Sequence, residues 1–139
     1  MLSIERLSLE DSQVLMEGAT EKANKIGVPM CISIVDESGN LIAFNRMDGG
    51  KILSVSLSQD KAFTAAVSRR TTSFYNENAV PGNLTNGIQS AWGGRFSTVG
   101  GGIPIEADGT IVGAVGISGG TPEQDIECAE AAIAYFNAG

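Results

Sequence analysis

The stretch Gly100–Gly120, GGGIPIEADGTIVGAVGISGG, limits the possible folds of this chain more than any other. It sets a hairpin between two glycine clusters and delivers the second cluster to the start of a helix. Glycine inside a strand loses entropy on folding and packs nothing, so ordinary core strands carry few of them. The backbone here either bends sharply or lets something approach it closely. Asp108-Gly109 is the turn signal, flanked by strands over Ile103–Ala107 and Thr110–Ser118. Along the second strand Ile111, Gly113, Val115 and Ile117 share one face, and Val112, Ala114, Gly116 and Ser118 share the other. Both faces are apolar or small, so both are expected to be covered.

The rest of the chain supplies the covers. Ser8 followed by Asp11 forms an N-cap signature that opens a helix to about Ile26, with Leu15, Ala19, Ala23 and Ile26 as its buried stripe. Gly27 and Pro29 end it. Met30–Val35 reads as a buried strand, Ser38-Gly39-Asn40 as a turn, and Leu41–Met47 as the antiparallel partner. A second helix is expected from about Ser54 to Arg70, with Val55, Ser58, Ala62, Ala65, Ala66 and Arg69 on one face. Its alanines suit a close approach to whatever it covers. Lys61 on this helix reads as solvated, and becomes a candidate only if it faces the sheet. Thr71–Asn78 suggests a further short helix. Ala79–Gly94, with Pro81-Gly82, Asn86-Gly87 and Gly93-Gly94, reads as a long irregular loop of a kind often found at functional sites or subunit contacts. Arg95–Val99 is a short strand candidate. Thr121-Pro122-Glu123-Gln124 is a capping box with proline at N1, followed by a stripe of Asp125, Cys128, Ala129, Ala132, Ile133 and Phe136. The expected architecture is one α+β domain over residues 1–139, a five-stranded, mostly antiparallel sheet flanked by helices.

Composition narrows the function. A chain of 139 residues, 42% hydrophobic, is long enough to build a core without disulfides or metals. Its net charge of −7, with no basic cluster beyond Arg69-Arg70, argues against a nucleic-acid partner. No apolar run approaches the ~20 residues of a membrane span. MLSIERLSLED lacks the basic and apolar regions of a signal peptide, so Cys31 and Cys128 are expected to be reduced core thiols in a cytoplasm. The chain contains no histidine, which removes the commonest general base and the usual zinc and haem ligand together.

Four places offer chemistry. Ser118-Gly119-Gly120-Thr121 leads into a helix and is a candidate anion cradle, although Glu123 and Asp125 compete for the same positive end. Gly100-Gly101-Gly102 can bend a strand, admit a ligand or fit a neighbouring subunit, and it matches no nucleotide-binding pattern. Arg46, beside Asp48, Gly49 and Gly50 at a strand end, offers a bidentate fork for a carboxylate. Lys61, Asp125, Asp48 and Tyr75 are the remaining acid–base candidates. Met30, Met47, Tyr75 and Cys31 lack the spacing of a shared metal site and read as packing, so no metal is assigned.

The blocks GVPMCISIVDESGNLIAFNRMDGG, QDKAFTAA, GGGIPIEADGTIVGAVGISGG and TPEQDIECAEAA occur in order from about Leu7 to Phe136. Together they resemble the GlcG/HbpS-type family, which includes the C-terminal domain of a cobalamin adenosyltransferase. The resemblance implies a profilin-like α/β/α sandwich and assembly into homo-oligomers. It also implies haem binding or degradation in some members, in some of which a histidine helps ligate iron. Without histidine, only Met, Tyr, Cys or apolar contact could hold haem here, which disfavours it as cofactor. Three readings follow. The first is a small-ligand-binding or accessory protein, with a tetrapyrrole such as haem or a corrinoid among the candidate ligands and a site among Arg46, Asp48, Gly100–Gly102 and Ser118–Gly120. The second is a cofactor-independent enzyme for a small organic acid or carbonyl compound. The third is a structural subunit whose glycines pack between protomers.

Overall fold

Two hairpins supply all the strands. In the computed structural model, which describes residues 1–139, β1 (Cys31–Asp36) pairs with β2 (Leu41–Arg46), and β3 (Gly102–Ala107) pairs with β4 (Thr110–Ser118). Asp108 and Gly109 both take positive φ, 50° and 80°, as a tight hairpin turn demands. The hairpins join through an antiparallel β1–β4 pairing, giving the strand order β2-β1-β4-β3.

Four helices complete the fold: α1 (Leu9–Ile26), α2 (Ile52–Ser68), α3 (Thr72–Asn78) and α4 (Pro122–Ala138). The sequence signals start α1 and α4 where expected. Asp11 N–H donates to Ser8 Oγ at 3.0 Å, and Ser8 N–H donates to Asp11 Oδ2 at 2.9 Å. Thr121 and Gln124 repeat the reciprocal cap on α4. Gly27 ends α1 in the left-handed conformation, at φ 73°.

The sheet is covered on both faces, but differently. Against α1 and α4 it presents Ile32 and Ile34 of β1, Ile105 of β3, and Val115 and Ile117 of β4. These interlock with Leu15, Met16, Ala19 and Ala23 of α1 and with Cys128, Ala129 and Ala132 of α4. Against α2 it presents Val35 and Ala114, met by Ala62, Ala65 and Ala66.

The sheet has four strands, not five. Arg95–Val99 does not pair as a strand, because its polar groups are engaged elsewhere. Ser97 N–H donates to Thr64 Oγ1 of α2 at 2.8 Å, and Val99 N–H turns back to Ser97 Oγ at 3.3 Å. The segment is pinned to a helix and cannot extend the sheet. The expected loop over 79–94 contains a 3-10 segment, Ile88–Gly94, interrupted by non-helical dihedrals at Ala91, Trp92 and Gly93. The face of α2 also differs from expectation. Val55 is only half-buried and Arg69 is exposed, while Ser54, Lys61, Phe63 and Thr64 are buried. Arg69 takes the left-handed position that ends α2, which turns its side chain off the stripe and onto the Ala66 and Glu37 carbonyls.

Candidate functional site

Ser54, Ser58, Lys61 and Thr64 recur at helical spacing along the sheet-facing side of α2, and each engages a different element. Ser118 Oγ of β4 donates to Ser54 Oγ at 3.0 Å. Ser58 and Ser33 of β1 share a hydrogen bond of 2.9 Å. Thr64 receives the Ser97 N–H. Lys61 Nζ donates to the Ile117 carbonyl at 2.8 Å and to Asp125 Oδ2 of α4 at 2.9 Å. A polar spine thus runs under an alanine-rich helix.

Lys61 is not solvated. It is 0% exposed and Asp125 is 2% exposed, so the structure brings two of the sequence candidates together in a sealed ion pair. Burial pulls the Lys61 pKa below the ordinary lysine value, and the neighbouring Asp125 carboxylate opposes that fall. The second Asp125 oxygen accepts the Gly120 N–H at 2.8 Å. Gln124 Oε1 accepts the Thr121 N–H, and Thr121 Oγ1 accepts the Gln124 N–H. The chain's own carboxylate and cap therefore occupy the anion-binding end of α4.

The glycine clusters have the same explanation. Gly102 and Gly116 are cross-strand partners beneath α2. A Cβ on Gly116 would strike the Ser58 carbonyl, and one on Gly102 would strike the Lys61 carbonyl. Bare backbone at these two positions lets the helix lie directly on the sheet. Gly101 takes φ 129° and presents its open side to Lys61 Nζ and Asp125. Gly100 is closed by Ile126 and Ser73, Gly119 by Pro29 and Met30, and Gly120 by Gln124 and Met30. The close approach that these glycines signal is filled by the protein itself.

Arg46 and Asp48 lie apart from this interior pair, on the exposed end of the β1–β2 hairpin. Arg46 does not pair with Asp48. Its Nε and Nη2 both donate to the Gly50 carbonyl, at 3.1 and 3.0 Å, and hold the turn that leads into α2. That turn delivers Lys51 as the helix N-cap, followed by Ile52 at 83% and Leu53 at 68% exposure. Two open aliphatic side chains therefore sit beside two cations, in a helix turn with no acidic residue. Sequence reasoning placed the helix start at Ser54 and missed Lys51, Ile52 and Leu53. Their exposure emerges only in the fold, which turns Ser54, Ser58 and Lys61 toward the sheet and leaves Ile52 and Leu53 outside that buried stripe.

The donor set does not suit haem iron. Cys31 is fully buried and its thiol pKa is raised, chiefly by burial and against the pull of Arg46. Tyr75 is buried edge-on between Phe74 and Phe96. Met47 is half-buried, and its Sδ accepts the Met30 N–H at 3.4 Å. No helix is long and apolar enough to cross a membrane.

The family model described as "Haem degrading protein HbpS-like" matches residues 7–134. A 15.0 kDa protein encoded between dhaT and dhaS in Citrobacter freundii is 36% identical over 134 residues, covering 96% of this chain and 94% of that one. The corrinoid adenosyltransferase PduO of Salmonella typhimurium is 37% identical over 133 residues, covering 96% of this chain but only 40% of that protein. Among solved structures, a PduOC:heme complex superposes with a TM-score of 0.90 at 36% identity, covering 94% of each chain.

Proposed function

The chain belongs to the HbpS-like family, and from that premise we propose that it is a binding protein for a tetrapyrrole, haem or a corrinoid. The observation that carries the reading is the likeness to the PduOC:heme complex, which spans nearly the whole chain. The exposed start of α2 suits the same ligand chemistry. Ile52 and Leu53 offer an apolar bed for a flat macrocycle, while Arg46 and Lys51 offer charge to its acidic side chains. Catalysis through Lys61 and Asp125 has less support, because neither group reaches solvent.

Absorption titration of the purified protein with haem, with cobalamin as the matched comparison, tests the reading. A saturable shift at one ligand per chain with either compound is the expected result. Linear, unsaturated responses to both would overturn it. A response to one alone would name the ligand.

A further inference from the structure

We infer that this chain grips a tetrapyrrole by its face and its acidic side chains and supplies no side chain to the central metal. This deepens the binding reading above and rests on it. The side chains that commonly ligate haem iron are His, Cys, Met and Tyr. Histidine is absent, and the other three types amount to eight residues: two cysteines, four methionines and two tyrosines.

Five of the eight are buried in the folded chain. Cys31, Cys128, Met16, Met30 and Tyr75 all fall at or below 7% exposure. Met16, Met30 and Cys128 belong to the aliphatic cluster between the sheet and α1 and α4. Burial, with Asp125 and Glu127 adding to it, pushes the Cys128 thiol up to about 11, so it stays a neutral thiol, the poorer ligand form.

Three remain. Met47 is half-buried, and one of its two sulfur lone pairs accepts the Met30 N–H, which holds the thioether against the start of β1. Tyr135 is 38% exposed on α4, on the far side of the sheet from α2, and hydrogen bonding to Glu17 raises its phenol pKa. A neutral phenol is a weak iron donor, and this one faces the wrong layer. Met1 is fully exposed, eight residues before α1 and outside every packed element, so nothing positions its thioether. The end of β2 and the start of α2 offer Arg46, Lys51, Ile52 and Leu53, whose charge and apolar surface suit a macrocycle and none of which is a common ligand of haem iron.

The test compares three ligands on the intact protein: haem, zinc protoporphyrin and metal-free protoporphyrin. Binding is followed through quenching of Trp92, the one tryptophan, and the ferric haem complex is examined by absorption and electron paramagnetic resonance. The expected result is affinities within about threefold of one another and a high-spin ferric complex unchanged in Met47→Leu and Tyr135→Phe. A preference for haem over the metal-free ring of about thirtyfold or more, or a low-spin spectrum lost in either variant, would overturn the inference while leaving tetrapyrrole binding intact. Failure of all three rings to bind would overturn both.

Discussion

The two faces of the sheet solve the same burial problem by opposite means. Toward α1 and α4 the chain uses bulk: isoleucine, valine, leucine and methionine interlock. Toward α2 it uses closeness: Gly102 and Gly116 remove side chains from the sheet, Ala62, Ala65 and Ala66 remove them from the helix, and the gap is bridged by hydrogen bonds. A bulky face adapts to small changes because neighbouring side chains can shift. A face built on backbone contact cannot, because Gly102 and Gly116 abut the Lys61 and Ser58 carbonyls, which are held in the hydrogen-bond ladder of α2. The charge that the second face encloses is tolerated because Asp125, the Ile117 carbonyl and the Gly120 N–H satisfy it together.

The largest expected effect breaks the α2 face at its charge. Lys61→Met strands the Asp125 carboxylate in the interior, and a loss of about 3–5 kcal/mol in urea unfolding is expected. Adding Asp125→Leu to the same chain should recover part of that loss, since two apolar groups leave no charge unpaired. If both variants lose the same amount, desolvated charge is not what makes the face sensitive.

A single methyl group sharpens the contrast. Gly116→Ala forces a Cβ against the Ser58 carbonyl and the Ala62 N–H, so α2 must lift, and the cost is expected near the top of the ~1–3 kcal/mol range for overpacking. On the opposite face Ile34→Val removes a methyl from a fully buried residue, for about 0.5–1.5 kcal/mol. Equal losses in the two thermal midpoints would erase the distinction.

The smallest effect concerns Glu37, where the two faces are tied at the β1–β2 turn. Its carboxylate accepts Arg6 Nε at 2.6 Å beside the strap that inserts Leu7 into the aliphatic cluster, and its carbonyl accepts Arg69 from the end of α2. The Arg6 hydrogen bond holds the Glu37 pKa below the ordinary glutamate value. A depressed carboxylate contributes stability above its unfolded pKa of about 4.3 and loses it as pH falls through the lower folded value. The urea midpoint should fall less steeply from pH 5 to pH 3 in Glu37→Gln than in the parent chain. Parallel curves would remove Glu37 from the acid response.

Much of this was legible in the residues. Ser8 with Asp11, Thr121 with Gln124, and Asp108-Gly109 act through neighbours in sequence, so their caps and turn appear where the pattern puts them. The glycine-rich hairpin correctly announced a close approach, but not by what. Pattern alone does not distinguish a ligand from the chain's own helix, because both need the same bare backbone. Lys61 was misjudged for a related reason: its partner lies 64 residues away, and only the fold brings the start of α4 beneath α2. The expected fifth strand failed on a tertiary bond as well, since Thr64 captures Ser97 before it can pair. Arg46 drew attention as a strand-end cation suited to a carboxylate, while the apolar residues that follow it were masked by placing the helix start two residues late.

On the proposed reading, ligand binding belongs to the open start of α2 and not to the sealed glycine-lined interior. This placement is tested most directly by haem titration of the double variant Ile52→Ser, Leu53→Ser, with its thermal midpoint measured alongside. An affinity at least about tenfold weaker than that of the parent chain is expected, with the midpoint unchanged. Undiminished affinity in this variant would contradict it and move the site elsewhere on the molecule.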